Sequence, residues 1–124
     1  MRLSLSAVID RWLAPAPATG KADWIGQWTF AHRGLHGPGV PENSLAAAKA
    51  AIGRGLGIEC DIQRSLDDRP MVFHDWGLQR LLGLEGNTGS FSASELKAMR
   101  FPDTGEGPVE LCDLLELIAG RVPL

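Results

Sequence analysis

Between residues 25 and 65 the chain alternates apolar runs and an alanine-rich run in a way that few folds can satisfy. The segment "IGQWTFAH" (residues 25–32) is rich in aromatic and β-branched residues and stops at Arg33-Gly34, which reads as a short buried strand. A glycine-bearing loop follows. Asn43 or Ser44 then caps a helix through "LAAAKAAIGRG", whose alanines favour helix and whose Gly53 and Gly55 close it. "GIECDIQRS" (residues 57–65) is a second strand. A strand, a helix and a strand in that order call for parallel pairing and an α/β fold.

Downstream, "MVFHD" (residues 71–75) reads as a third strand, and Ser92-x-x-Glu95 as the capping box of a helix over 92–99. In "VELCDLLELIAG", Leu111, Leu114, Leu115 and Ile118 share one helical stripe, with Gly120 as its stop. The final "RVPL" has the character of an approach to another strand. At the other end, a helix over residues 3–13 and the Pro/Ala-rich linker "APAPATG" form a leader separate from the rest. Its apolar stretch is too short for a membrane span. Leu5, Val8, Ile9 and Trp12 could still give weak contact with a membrane surface.

With 124 residues the chain supports one small domain. Its 44% hydrophobic and 22% charged content is that of a globular protein. A net charge of −3 with no Lys/Arg cluster argues against a nucleic-acid partner. An anionic ligand would have to be drawn in by local charge or a metal. Cys60 and Cys112 lack metal-ligand spacing and read as reduced thiols of a cytoplasmic protein.

Two residues apart on one strand, Glu59 and Asp61 point to the same face. Either that face is solvated, or the pair holds a hard divalent cation through oxygen. His74 ends the third strand. If residues 57–65 and 71–75 form a hairpin turning at Asp67-Asp68, opposing positions sum to 135 and Asp61 faces His74; a parallel connection also leaves both near strand ends. His32 ends the first strand beside Arg33. Two imidazoles, an arginine and a carboxylate-bound cation suit phosphoryl transfer: the cations neutralise developing charge, and the histidines exchange protons.

The ordered motifs "AHRG", "PENS", "GIECDIQRSLDDRPMVFHD" and "LQRLLG" resemble the running pattern of the glycerophosphodiester phosphodiesterases, with "GPVELCDLLELI" similar to a later helix of that family. The resemblance implies a TIM-type (β/α) barrel of which residues 25–124 supply the N-terminal half, residues 1–20 being the leading helix and linker. It further implies a metal, Mg²⁺ or Ca²⁺, on Glu59 and Asp61, with the third carboxylate ligand lying beyond residue 124. His32 and His74 would be the acid/base pair, Arg33 would contact phosphate, and Glu42 and Asn43 would support the site. The substrate would be a small glycerophosphodiester, cleaved to glycerol 3-phosphate and an alcohol. Departures from the pattern are Asp68 at the turn glycine and Leu81-Leu82 after Leu-x-Arg. Glu106, Glu110 and Glu116 read as loop and helix-surface residues rather than the missing ligand. A half barrel exposes sheet edges. That leaves three other expectations: a non-catalytic phosphate-binding module or truncated product, a phospholipase D-like enzyme acting on lysolipids, and a barrel completed by a second copy.

Overall fold

The computed structural model describes Leu13 and residues 20–124. The leading helix, its membrane contact and nearly all of the linker therefore lie outside the described residues. Among those described, no helix is long and apolar enough to cross a membrane.

The expected strand–helix–strand unit is present. Strand β1 (Phe30–His32) pairs in parallel with β2 (Gly57–Glu59), placing His32 beside Glu59. The first strand is much shorter than expected, because Asp23–Gln27 forms a 3₁₀ turn instead. Helix α1 (Leu45–Gly53) makes the crossover, and Ser44, not Asn43, caps it: the Ser44 hydroxyl accepts from the Ala47 amide at 3.1 Å and donates to the Pro41 carbonyl at 2.7 Å. Ala47, Ala48 and Ala51 are buried on its inner face. Their small side chains let helix and sheet approach closely. Between the strands, Gly57 leaves room for the Phe30 ring opposite it, since a Cβ there would lie 2.7 Å from that ring.

The second strand ends two residues after Gly57, and the run 57–65 is not continuous. It breaks at Cys60-Asp61 into β2 and β3 (Ile62–Arg64), which belong to different sheets. At the break the Asp61 amide leaves the ladder and donates to the Asn43 side-chain oxygen at 3.3 Å. Strand β3 forms a hairpin with β4 (Pro70–Val72), and β4 pairs antiparallel with the short β5 (Val109–Glu110). Opposed residues in the hairpin sum to 134, as in Ile62 with Val72, so the register is one residue off the expected one. Phe73, not His74, then faces Asp61, with its amide 3.0 Å from the Asp61 carbonyl.

A four-residue helix α2 (Gln79–Leu82), not anticipated from sequence, precedes α3 (Ala93–Ala98), which carries the expected Ser92/Glu95 capping box. Helix α4 (Leu111–Ile118) is last, burying Leu114 and Ile118 while Leu115 is left half exposed. Two apolar clusters result, and β4 divides them by its period-two alternation. Val72 joins Ala31, Ala48, Ile58, Leu114 and Ile118, whereas Met71 and Phe73 join Leu78, Leu96 and Phe101. Beyond α4 the chain lies against β2: Val122 is buried and the Ile58 amide donates to the Pro123 carbonyl at 2.9 Å. The segment "RVPL" thus runs beside β2 where a neighbouring strand belongs.

Gly34 fixes the loop that leaves β1. Its φ is +77°, and a Cβ would lie 2.8 Å from that of buried Ala47. Gly34→Ala should therefore cost about 2–4 kcal/mol, from the left-handed backbone and the overpacking together. The shift in urea midpoint measures it, and a change below about 0.5 kcal/mol would contradict the close contact.

Candidate active site

The candidate side chains gather where β1 and β2 end, joined by one loop and the hairpin. At the end of β1, His32 is largely exposed, with Nε2 3.9 Å from Glu59 Oε2. Arg33 follows in left-handed backbone, φ 58°, a strained geometry for a non-glycine residue. That turn aims its amide at Glu59 Oε2, 3.1 Å away, and sends its side chain inward. There Nη1 donates to Glu42 Oε1 at 2.9 Å, and Nε lies 3.2 Å from Asp61 Oδ2. The Nε contact is an ion pair by distance but is not aligned as a hydrogen bond, leaving that buried nitrogen without a bonded partner.

The loop from β1 is closed by Asn43, buried and also left-handed at φ 55°. Its amide donates to the Arg33 carbonyl at 2.9 Å, and its side chain clasps Asp61, donating through Nδ2 to Oδ2 at 3.1 Å while Oδ1 accepts the Asp61 amide. Asn43 thereby ties the loop to the point where β2 gives way to β3.

His74 stands on the other side. Its carbonyl accepts from Gln63 Nε2 at 2.9 Å, and its ring Nδ1 is 2.7 Å from Asp75 Oδ1. With the shifted register, His74 meets Asp75 and Glu42 and not the Asp61 carboxylate expected opposite it. Arg80 completes the cluster from α2, donating to both oxygens of Asp75 at 2.6 and 2.8 Å and to both of Glu42 at 3.0 and 2.8 Å. Sequence reasoning assigned no role to Arg80 or Asp75, although "FHD" and "LQR" are both part of the motif pattern. The signal lay in the carboxylate and guanidinium five residues apart, but the second partner of Arg80, Glu42, is 38 residues away.

These pairings set two guanidiniums among four carboxylates. Hydrogen bonds from Arg80 above all, and then from Arg33, hold Glu42 at a pKa of about 2 against the opposing effect of burial. Arg80 likewise holds the Asp75 carboxyl well below its ordinary range, with His74 adding to the effect. Burial, then the charges of Glu59 and Asp61, push the Cys60 thiol up to about 11, so it is not a nucleophile at neutral pH. Both cysteines are free thiols.

Among the described residues, two groups could hold a metal ion. Glu42, His74 and Asp75 bring ligand atoms within 4.8 Å of one another. Their carboxylate oxygens are already taken by Arg33 and Arg80, so a cation there would have to displace a guanidinium. Glu59 and Asp61 fit better. Among the described residues, Glu59 Oε1 and Asp61 Oδ1 have no hydrogen-bond partner, while each residue's second oxygen is anchored by Arg33 or Asn43. Two oriented carboxylate oxygens are the donors a hard divalent cation prefers, though they fill only part of its shell. Glu106 and Glu110 are structural: Glu106 accepts from the Ala46 amide at the start of α1, and Glu110 caps α4 while pairing with Arg69.

A parallel strand pair bridged by a helix, with its charged groups at the strand ends, is the opening portion of a TIM-type barrel. Solved structures share it. A glycerophosphodiester phosphodiesterase from Agrobacterium tumefaciens superposes with a TM-score of 0.68 at 32% identity, covering 77% of this chain and 44% of that one. A phosphodiesterase from Oleispira antarctica, solved with the product sn-glycerol-3-phosphate, gives 0.68 at 29% identity, over 76% and 40%. A glycerophosphodiester phosphodiesterase of Bacillus altitudinis is 35% identical over 99 residues, 74% of this chain and 40% of that protein. Residues 32–121 match the glycerophosphoryl diester phosphodiesterase family, and the chain belongs to it. It spans about two fifths of the length of these relatives.

A carboxylate whose folded pKa is depressed stabilises the fold above its unfolded pKa and loses that contribution as pH falls through the folded value. Glu42→Gln should therefore destabilise the protein at pH 7 by roughly 2 kcal/mol, after allowance for screening. The gap to wild type should narrow as pH drops from about 4.5 towards 2. Urea midpoints across that range check it; a gap independent of pH would refute the pairing.

Proposed function

We propose that the chain supplies the N-terminal half of the active site of a metal-dependent glycerophosphodiester phosphodiesterase, with residues 25–124 as its share of the barrel and residues 1–20 as a separate leader. The observation that carries this reading is the meeting of His32, Arg33, Glu42, Glu59, Asp61 and His74 at the strand ends of a chain belonging to that family. The Oleispira relative, solved with sn-glycerol-3-phosphate, supports a glycerol phosphate diester as substrate class.

In this reading Glu59 and Asp61 would hold Mg²⁺ or Ca²⁺, with a further carboxylate supplied from outside this sequence. Such an ion, when bound, lowers the cost of charge developing on the phosphoryl oxygens. Arg33 stands 3.2 Å from Asp61 by its Nε, close enough for its guanidinium to serve the same phosphate. His32 and His74 are both partly exposed to the site opening. One takes a proton from the attacking hydroxyl, and the other returns one to the departing alkoxide, giving glycerol 3-phosphate and an alcohol. The attacking group is water, or it is the substrate's own neighbouring hydroxyl, which closes a cyclic phosphate that water then opens to glycerol 3-phosphate. Glu42 and Asn43 support the site by holding Arg33 and Asp61. The reduced cysteines favour a cytoplasmic setting.

Hydrolysis of glycerophosphocholine with added Mg²⁺ or Ca²⁺ tests the proposal in a protein carrying the whole barrel. His32→Ala and His74→Ala should each lower kcat by about 10²–10⁴-fold, as expected when an acid or base is removed. Unaffected turnover in both would exclude the mechanism. Calorimetric titration of this chain with either ion should show binding that Asp61→Asn abolishes, whereas a phosphate-binding module without turnover would leave the diester intact.

A further inference from the structure

The contacts of Arg80 select two particular oxygens. Its Nη2 donates to Glu42 Oε1 and to Asp75 Oδ1. Glu42 Oε1 is the oxygen that also accepts Arg33 Nη1, and Asp75 Oδ1 is the one that meets His74 Nδ1. One nitrogen of Arg80 therefore sits between the atom that holds the arginine and the atom that holds the histidine. Its Nε and Nη1 pin the second oxygen of each carboxylate, so that neither can rotate. A planar guanidinium can grip two carboxylates in this way, and an ammonium cannot.

We propose that Arg80 is a positioning residue that couples Arg33 to His74, locking the histidine in the tautomer protonated on Nδ1. This rests on the roles given to Arg33 and His74 in the proposed function. Asp75 is ionised and accepts only, so the nitrogen facing it carries the proton. Nε2 is then the one nitrogen of the neutral ring able to take a proton during reaction, and it can return that proton to the leaving group. Without Arg80 the Asp75 carboxylate turns freely, and the ring samples both tautomers. At the other end Glu42 keeps only Arg33, and the Arg33 guanidinium loses its fixed orientation. The backbone does not supply this coupling, since Arg33 follows β1 and His74 follows β4, and those strands belong to separate sheets. Arg80 is half exposed, whereas Glu42 and Asp75 are much less so, so the arginine closes the cluster from outside.

Long-range proton–nitrogen NMR of the histidine rings in this chain tests the coupling without turnover. Above the imidazole titration, wild-type His74 should show the Nδ1-protonated tautomer, and His32 serves as internal reference. In Arg80→Met the His74 nitrogens should move towards the opposite tautomer by at least half of the full separation, and the Arg33 Nε–H should exchange with water at least tenfold faster. The Asp75→Asn variant should give the same histidine shift with Arg33 unaffected. If Arg80→Met fails to fold, Arg80→Lys is read instead, and at least one of the two signals should move. A folded variant in which neither signal changes would overturn the proposal. Shifts seen in a protein that hydrolyses no diester would support the coupling and count against the proposed function alone.

Discussion

Glu42 is the carboxylate on which the whole arrangement turns. Its side chain is largely buried, a position that penalises a charge heavily unless that charge is paired and hydrogen-bonded. Two guanidiniums meet the requirement, Arg33 from the end of β1 and Arg80 from α2. Because Glu42 takes both, the first strand, the loop before α1 and the short helix after the hairpin are bound at one point. Removing Glu42 would untie both guanidiniums at once, which makes the three segments interdependent.

Around that point the backbone accepts strain. Arg33 and Asn43 both occupy left-handed conformations, and each is held by contacts across the loop. Arg33 must turn so that its amide reaches Glu59 while its side chain reaches Glu42 and Asp61. Asn43 must turn so that its side chain can bond Asp61 at both ends. The result is a row of alternating charges from Glu59 through Arg33, Glu42 and Arg80 to Asp75, with a histidine at each end. The histidines lie at the margins of that row, where solvent can reach them.

Much of this was legible in the residues. The strand–helix–strand order, the capping box at Ser92, the two histidines and the arginine after β1 follow from local chemistry and ordered motifs. The register of the hairpin did not follow. Pairing by sum placed Asp61 opposite His74, but the turn closes with the Ser65 amide donating to the Arg69 carbonyl at 3.0 Å, and that closure sets the pairing one residue away. Arg80 escaped for a different reason. Its partner Glu42 is far away in sequence, and no periodicity links a loop residue to a four-residue helix.

By itself, the sequence determined which groups would be at hand: an α/β alternation, imidazoles and an arginine at strand ends, and paired carboxylates two residues apart. Those are matters of local propensity and residue chemistry, and they act over a few positions. Only the tertiary structure decided which carboxylate each cation would hold. It gave Asp75 to His74, Asp61 to Arg33 and Asn43, and Glu42 to two arginines. Such choices depend on burial and on distances between segments remote in sequence, and a charge finds its partner only after packing has removed the water between them.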